Sequence, residues 1–296
     1  MSDLYARSWL ILRAFWGQFR ELTPLWLAGV VMGASLSWAL RPRLSRGAAW
    51  PALGFGGAPL QLLAGALIGV ASPFSLLSLA GLIRELLRDR RAAPFALGLA
   101  LANPLLNPSI LTFTWLALGP RFALWRIGAT LAAALLGGAI LLRLPGGLPL
   151  AELQRAAAGA PPALRTWGAF LRHLAHEIVV YGRYYLLALI LAAWLDAFAP
   201  LRGLWAWLGR AGGLAAPLAA LAGGPFYLCG GGAVALAREL LAQGLSAGPA
   251  LAFLTFGPAV TIRALAGMTA IGGRRMTAVV VGSALATALA VGYLAR

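Results

Sequence analysis

The sequence predicts an all-α membrane protein, a polytopic helical bundle of two inverted repeats whose helices are broken by glycine and proline. The first observation is composition, because 61% of the residues are hydrophobic and only 11% are charged, unlike a soluble domain. The second is length, because runs such as 22–40 and 276–294 reach the roughly 20 residues that cross about 30 Å of hydrocarbon. The third is an internal repeat. Together they predict about eight to ten membrane segments.

The basic charge of the chain fits a lipid environment better than a nucleic-acid partner. Lys and Arg number 24 against 8 Asp and Glu, a formal charge of +16, yet the arginines fall in short loops between apolar runs. Such arginines orient a membrane protein and bind anionic lipid, and no basic run is long enough for a nucleic-acid arm. The single cysteine excludes an internal disulfide and a multi-thiol metal site, so no metal or cofactor is predicted.

The chain divides into four predicted regions. Residues 1–21 are expected to form an interfacial helix, because Arg7, Arg13 and Arg20 lie among aromatic residues. The other regions are a first membrane repeat over 22–143, a linker loop over 144–169 and a second membrane repeat over 170–296.

The repeat is visible as the tetrapeptide RELL, which occurs at 84–87 and again at 238–241, 154 residues later. At that offset, 17 of the 55 positions from 84 to 138 carry the same residue in both copies. Each copy is interpreted as one span, a hairpin rich in glycine and proline, and two further spans. The predicted segments are 22–40, 55–88, 94–118 and 122–143 in the first copy and 170–198, 212–243, 247–271 and 276–295 in the second.

The hairpins decide how the two copies are oriented. Their arms are short and glycine-rich, so both a re-entrant and a spanning hairpin remain open, but either kind returns to the side that it left. Each copy then makes three net crossings of the membrane. Because three is odd, the second copy is predicted to be inverted with respect to the first.

Both copies carry a break in the middle of an apolar segment. The first break is Asn103-Pro104-Leu105-Leu106-Asn107-Pro108, and the second contains Gly257, Pro258 and Thr261. Proline removes a backbone donor and leaves carbonyls that protein, water or substrate must satisfy in a low-dielectric medium. The matched breaks therefore predict a substrate site near the midplane, with Asn103, Asn107, Gly257, Pro258 and Thr261 as its residues. The alternative is a pair of kinks that serve helix packing.

The only cysteine, Cys229, lies in PFYLCGGG at 225–232, and the repeat offset places it opposite Ser75. One interpretation is that both side chains contact substrate beside the broken helices. The other is that Cys229 is a small packing residue, next to glycines that let helices approach closely.

Glu85 and Glu239 are repeat mates, each preceded by arginine. A carboxylate within the bilayer is unfavourable by about 2.5–3.5 kcal/mol on insertion scales, so such residues suggest proton coupling. Both also stand at the ends of their apolar arms, where an interfacial anchor is the alternative.

Three stretches carry a family resemblance: SPFSLLSLAGLIRELL and ANPLLNPSIL in the first half, and PFYLCGGG with the ALARELLAQGLSAGPALAFLTFGPA stretch in the second. They resemble a bacterial family of predicted permeases that includes the organoarsenical efflux permease. The resemblance covers about residues 55–140 and 210–295. It implies a polytopic inner-membrane permease.

The resemblance also implies roles for single residues. Cys229 matches the family's cysteine, Pro258 and Thr261 match its Gly-Pro-Ala-Thr-like break, and Asn107 matches its Asn-Pro. The chain departs from the pattern where many members carry Cys-x-Cys, because it has Ser75 and Leu77 there. A lone thiolate cannot chelate a metalloid but can still make one soft contact.

The function predicted is transport of a small solute or ion by alternating access, with efflux of a soft or thiol-reactive compound such as an organoarsenical as one form of it. The protein is not expected to be an enzyme, because its acids are scattered singly and no phosphate-binding loop motif is present. The alternatives are a membrane-embedded enzyme acting on a lipid-type substrate, and a passive channel. Membrane lipid is the expected partner, and the sequence leaves a homo-oligomer open.

Overall fold

A computed structural model describes residues 2–44, 57–74, 76, 79, 83, 86–87, 91–144, 166–197, 212–226 and 231–295. These residues form α-helices and short 3-10 turns without any strand, as the all-α prediction requires. The helices are α1 (Ser2–Leu44), α2 (Ala58–Ala71), α3 (Ala93–Ala102), α4 (Pro108–Leu118), α5 (Pro120–Arg143), α6 (Trp167–Ala197), α7 (Ala215–Phe226), α8 (Gly232–Ala242), α9 (Ala247–Phe256) and α10 (Ile262–Leu294).

Four helical segments are long and apolar enough to cross a membrane: Ser8–Ala39, Pro120–Arg143, Trp167–Ala197 and Ala264–Leu294. The apolar helices α2, α3, α4, α7 and α9 are shorter, at 10 to 14 residues each. Short apolar helices beside long ones are the pattern of membrane proteins with discontinuous segments.

Helix α1 runs as one element across the predicted division between residues 21 and 22. It continues through Pro24, and neighbouring helices in a membrane bundle commonly compensate for the donor that proline lacks. Trp9 and Trp16 on the first part of the helix are 62% and 56% exposed. The four-region division, including an interfacial position for these first turns, stays a prediction.

The predicted breaks are present at the expected residues. In the first half, α3 ends at Ala102 and α4 begins at Pro108. In the second half, α9 ends at Phe256, a 3-10 turn covers Gly257–Val260, and α10 begins at Ile262. Both bounds of α3 and α9 differ by the 154 residues of the sequence repeat.

One glycine in each half marks the next irregularity along the chain. Gly119 separates α4 from α5 with φ 90° and ψ 169°, and its repeat mate Gly273 lies at a kink in α10 with φ 67° and ψ −171°. A positive φ of this kind is strained for any residue with a side chain, which explains why glycine stands at both positions.

The two halves also pack alike. Helix α2 packs against α3 and α7 packs against α9. A Cβ added at Gly69 would stand 2.9 Å from the carbonyl oxygen of Leu99, and one added at Gly223 would stand 2.9 Å from that of Phe253. Because both pairs are repeat mates, the same close helix contact is built twice. The orientation of the two halves in a membrane, and whether the hairpins are re-entrant, stay predictions.

Candidate functional site

The two breaks contribute residues to one buried cluster. Leu105, from the first break, belongs to one buried cluster with Phe256 and Ala259. Phe256 directly precedes the second break, and Ala259 lies within it. Val260 is packed against the same cluster. The fold thus brings one residue from each break into the same buried cluster.

Asn103 is 4% exposed, and its side-chain amide forms hydrogen bonds within the protein. The Nδ2 atom donates to the carbonyl oxygen of Phe74 at 2.9 Å and to that of Gly69 at 3.5 Å. The Phe74 carbonyl lies beyond the end of α2, and the Gly69 carbonyl, which also accepts the backbone N–H of Ser72 at 3.3 Å, lies in the last turn of that helix. Asn103 therefore ties the first break to the end of α2.

Asn107 and Thr261 are repeat mates, and each caps the helix that follows its break. The Oδ1 atom of Asn107 accepts the backbone N–H of Ile110 at 2.9 Å, which caps the start of α4. The hydroxyl of Thr261 accepts the backbone N–H of Ala264 at 3.2 Å, which caps α10. That hydroxyl also donates to the carbonyl oxygen of Pro258 at 3.2 Å.

Gly257 and Pro258 are buried in the 3-10 turn of the second break. In a continuous α-helix, the backbone N–H of residue 258 would bond to the carbonyl oxygen of Leu254, four residues earlier. Proline has no such N–H. The Leu254 carbonyl therefore needs a donor from elsewhere.

Arg126 supplies one, and the sequence analysis did not single it out. Its Nη2 atom donates to the carbonyl oxygen of Leu254 at 3.4 Å, and its Nη1 atom donates to the hydroxyl of Thr114 at 2.6 Å. That hydroxyl in turn donates to the carbonyl oxygen of Ile110 at 2.7 Å. The side chain is only 2% exposed. The signal available in the sequence was an arginine seven residues into an apolar span of 24 residues.

A second polar group lies beside this bond. Thr255 follows Leu254 in α9 and is 6% exposed. Its hydroxyl has no hydrogen-bond partner in the part of the chain that the structure describes. Thr287 by contrast bonds to the backbone carbonyl of Ser283 at 2.9 Å, and among the described residues Thr255 shares its lack of a partner with the buried hydroxyl of Ser37.

Glu239 lies in a separate polar cluster at the contact of α1 and α8. Its Oε2 atom accepts the Nε2 amide of Gln18 at 2.8 Å, and its Oε1 atom accepts that of Gln243 at 2.9 Å. The neighbouring Arg238 forms an ion pair with Glu21. The carboxylate is thus held between two neutral amides while the adjacent charge is paired with α1.

Ser75, Glu85 and Cys229 lie outside the residues that the structure describes, so their predicted roles stay predictions. Among the described residues, no three His, Cys, Asp or Glu side chains lie close enough together to hold a metal ion. The site that the structure does describe is a junction of two broken helices, with a buried guanidinium at one side of it.

The chain was compared with known proteins. Residues 53–296 match a family model described as predicted permease, and this range contains both breaks. No curated protein and no solved structure matches the chain. The family resemblance drawn from the sequence is confirmed, and the chain belongs to the ArsP_1 family of predicted permeases.

Proposed function

We propose that the protein is a multi-pass permease of the bacterial inner membrane that moves a small solute by alternating access. The solute would pass between the two broken segments, which lie near the bilayer midplane in an inverted-repeat arrangement. The two repeats would rock against one another around this junction, exposing it first to one side of the membrane and then to the other.

The observation that carries this proposal is the shared cluster of Leu105, Phe256 and Ala259. Helix breaks in a membrane leave backbone groups that can bind a solute, and two breaks in contact form such a place at the boundary between the halves. The shared cluster therefore favours a common site over two independent packing kinks.

The substrate class rests on the resemblance and on Cys229. A thiol favours a soft, thiol-reactive solute, such as a trivalent organoarsenical moved outward by efflux. With Ser75 in place of a second thiol, one sulfur contact would be made rather than a chelate. Asn103, Asn107, Gly257, Pro258 and Thr261 would complete the surroundings through their backbone groups and the parts of their side chains that the fold leaves available.

Glu239 and its repeat mate Glu85 are the proposed proton-coupling residues. Glu239 accepts hydrogen bonds from two amide donors, Gln18 and Gln243, which help to fix the position of the carboxylate. A carboxylate held in this way can take up and release a proton without losing its place between helices.

The test is uptake by purified protein in liposomes, with and without a proton gradient. Wild type and Cys229→Ser are compared on a panel of trivalent organoarsenicals and small sulfur-containing solutes. We expect accumulation against a gradient by wild type and a loss of at least tenfold in Cys229→Ser. Equilibration without accumulation would indicate a channel, and chemical conversion of a solute would indicate an enzyme. No movement of any probe would refute the proposed substrate class.

Coupling is tested separately with Glu239→Gln. This variant keeps the size of the side chain but cannot release a proton, so proton-driven accumulation should be lost. Exchange of labelled for unlabelled solute needs no net proton movement and should persist. The control is Glu21→Gln, which removes an exposed carboxylate from the same cluster. Full proton-driven accumulation by Glu239→Gln would refute the coupling role.

A further inference from the structure

The buried arginine Arg126 joins three helices that meet at the junction of the breaks. It extends from α5, contacts Thr114 in α4 and reaches the Leu254 carbonyl in α9. Helix α4 is the helix that follows the first break, and α9 is the helix that precedes the second. No other described residue is shown bonding side chain to backbone across these two breaks.

The Leu254 carbonyl is the group that Pro258 leaves without its α-helical donor. A buried carbonyl with no partner is unfavourable, and more so within a membrane, where water is scarce. The guanidinium of Arg126 takes the place of the missing N–H. Its positive charge also faces the carboxyl-terminal end of α9, where the helix dipole favours a cation.

We propose that Arg126 is a positioning residue of the transport site: it holds the second break open by bonding the carbonyl freed by Pro258, and through Thr114 it fixes that break to the first repeat. Without the guanidinium, the break would have to rearrange until another donor reached the Leu254 carbonyl. The position of the site rests on the proposed function, but the bond from Arg126 to the Leu254 carbonyl does not.

The test is a double-mutant cycle between these positions. Pro258→Ala restores a backbone N–H that can bond to Leu254, so Arg126 is no longer needed for that carbonyl. We compare wild type, Arg126→Met, Pro258→Ala and the double variant in detergent, and follow the apparent melting temperature by tryptophan fluorescence. Arg121→Met is the control, because Arg121 is an exposed arginine of the same helix.

Arg126→Met should lower the apparent melting temperature by about 5 °C in the wild-type background and by less than half of that with Pro258→Ala. Arg121→Met should change it equally little in both backgrounds. If Arg126→Met alone does not fold, recovery of folded protein in the Pro258→Ala background is the expected result. Equal losses in both backgrounds, or failure to fold in both, would overturn the proposal.

Transport separates positioning from stability. The double variant should recover stability but not uptake, because its second break is closed into helix, and Pro258→Ala alone should likewise be stable and inactive. Uptake that recovers together with stability would show that Arg126 only supports the fold. Melting temperatures need no substrate, so coupling between positions 126 and 258 with no transported probe would leave this inference standing while the proposed function fails.

Discussion

The matched caps at Asn107 and Thr261 offer a test of whether the predicted site residues serve the fold, the substrate or both. Each accepts the backbone N–H three residues ahead, at 2.9 Å and 3.2 Å, at the first turn of the helix that follows a break. Asn and Thr are both effective capping residues. We therefore predict that Asn107→Thr and Thr261→Asn leave stability nearly unchanged.

Alanine at either position removes the acceptor. Loss of an N-cap typically lowers the free energy of unfolding by about 1 kcal/mol, which corresponds to roughly 2–4 °C in the melting temperature of a chain this long. Thr261→Ala should have the larger effect, because its hydroxyl also donates to the carbonyl oxygen of Pro258 at 3.2 Å. Asn107→Ala should show the loss of the cap alone.

The assay is thermal unfolding in detergent, followed by tryptophan fluorescence, with uptake into liposomes measured on the same preparations. If Asn107→Thr and Thr261→Asn destabilise the protein as much as the alanine variants do, the capping role is refuted. If stability is kept and uptake is lost on exchange, the side chain also contacts substrate, since a contact depends on the shape of the group and a cap does not.

Four further predictions can be checked by the same unfolding measurement. Gly223→Ala should lower the free energy of unfolding by about 1–3 kcal/mol, because the new Cβ would stand 2.9 Å from the carbonyl oxygen of Phe253. Gly282→Ala, at a helical glycine with open space around it, should raise it by about 0.5–1 kcal/mol, and a loss there would contradict the helix assignment. Asn103→Leu should lower it by about 1–2 kcal/mol, because two buried carbonyls lose their donor, and no change would mean that water replaces the amide. Thr255→Val should be neutral or stabilising, since the hydroxyl it removes has no partner among the described residues, and a clear loss of stability would reveal one.

The breaks could be predicted from the sequence because their cause is local. Proline at 104 and 258 removes a donor wherever it stands in an apolar helix, and the repeat offset shows that this happens twice. The caps follow from the same logic, since Asn107 and Thr261 come directly before a new helix. Such features depend on residues a few positions apart.

Arg126 could not be predicted in the same way because its partner is distant. The Leu254 carbonyl lies 128 residues further along the chain, and no local pattern states which side chain will reach it. The same holds for Asn103, whose amide bonds to a carbonyl 29 residues earlier. The sequence identifies a freed carbonyl, whereas only the fold identifies its donor.

The continuity of helix α1 across residues 21 and 22 is another feature that the sequence did not predict. A change from aromatic and basic residues to a purely apolar run suggests two segments, but nothing near residues 21 and 22 ends the helix. Packing on α6 extends along this helix, with Trp26 stacked on Tyr185 at a centroid distance of 4.7 Å. Composition alone therefore marks a change of environment and not a change of element.

The most direct test of the central claim is a reversible cross-link across the junction. Leu105→Cys and Ala259→Cys place one thiol on each break, and Cys229→Ser removes the only native cysteine, so a cleavable thiol cross-linker joins the two halves alone. The matched controls are each single cysteine in the Cys229→Ser background, and the uptake compared is the reduced uptake that this background is expected to retain. Alternating access at this junction predicts that uptake stops on cross-linking and returns on reduction. Uptake that continues at the same rate with the two breaks joined would contradict it.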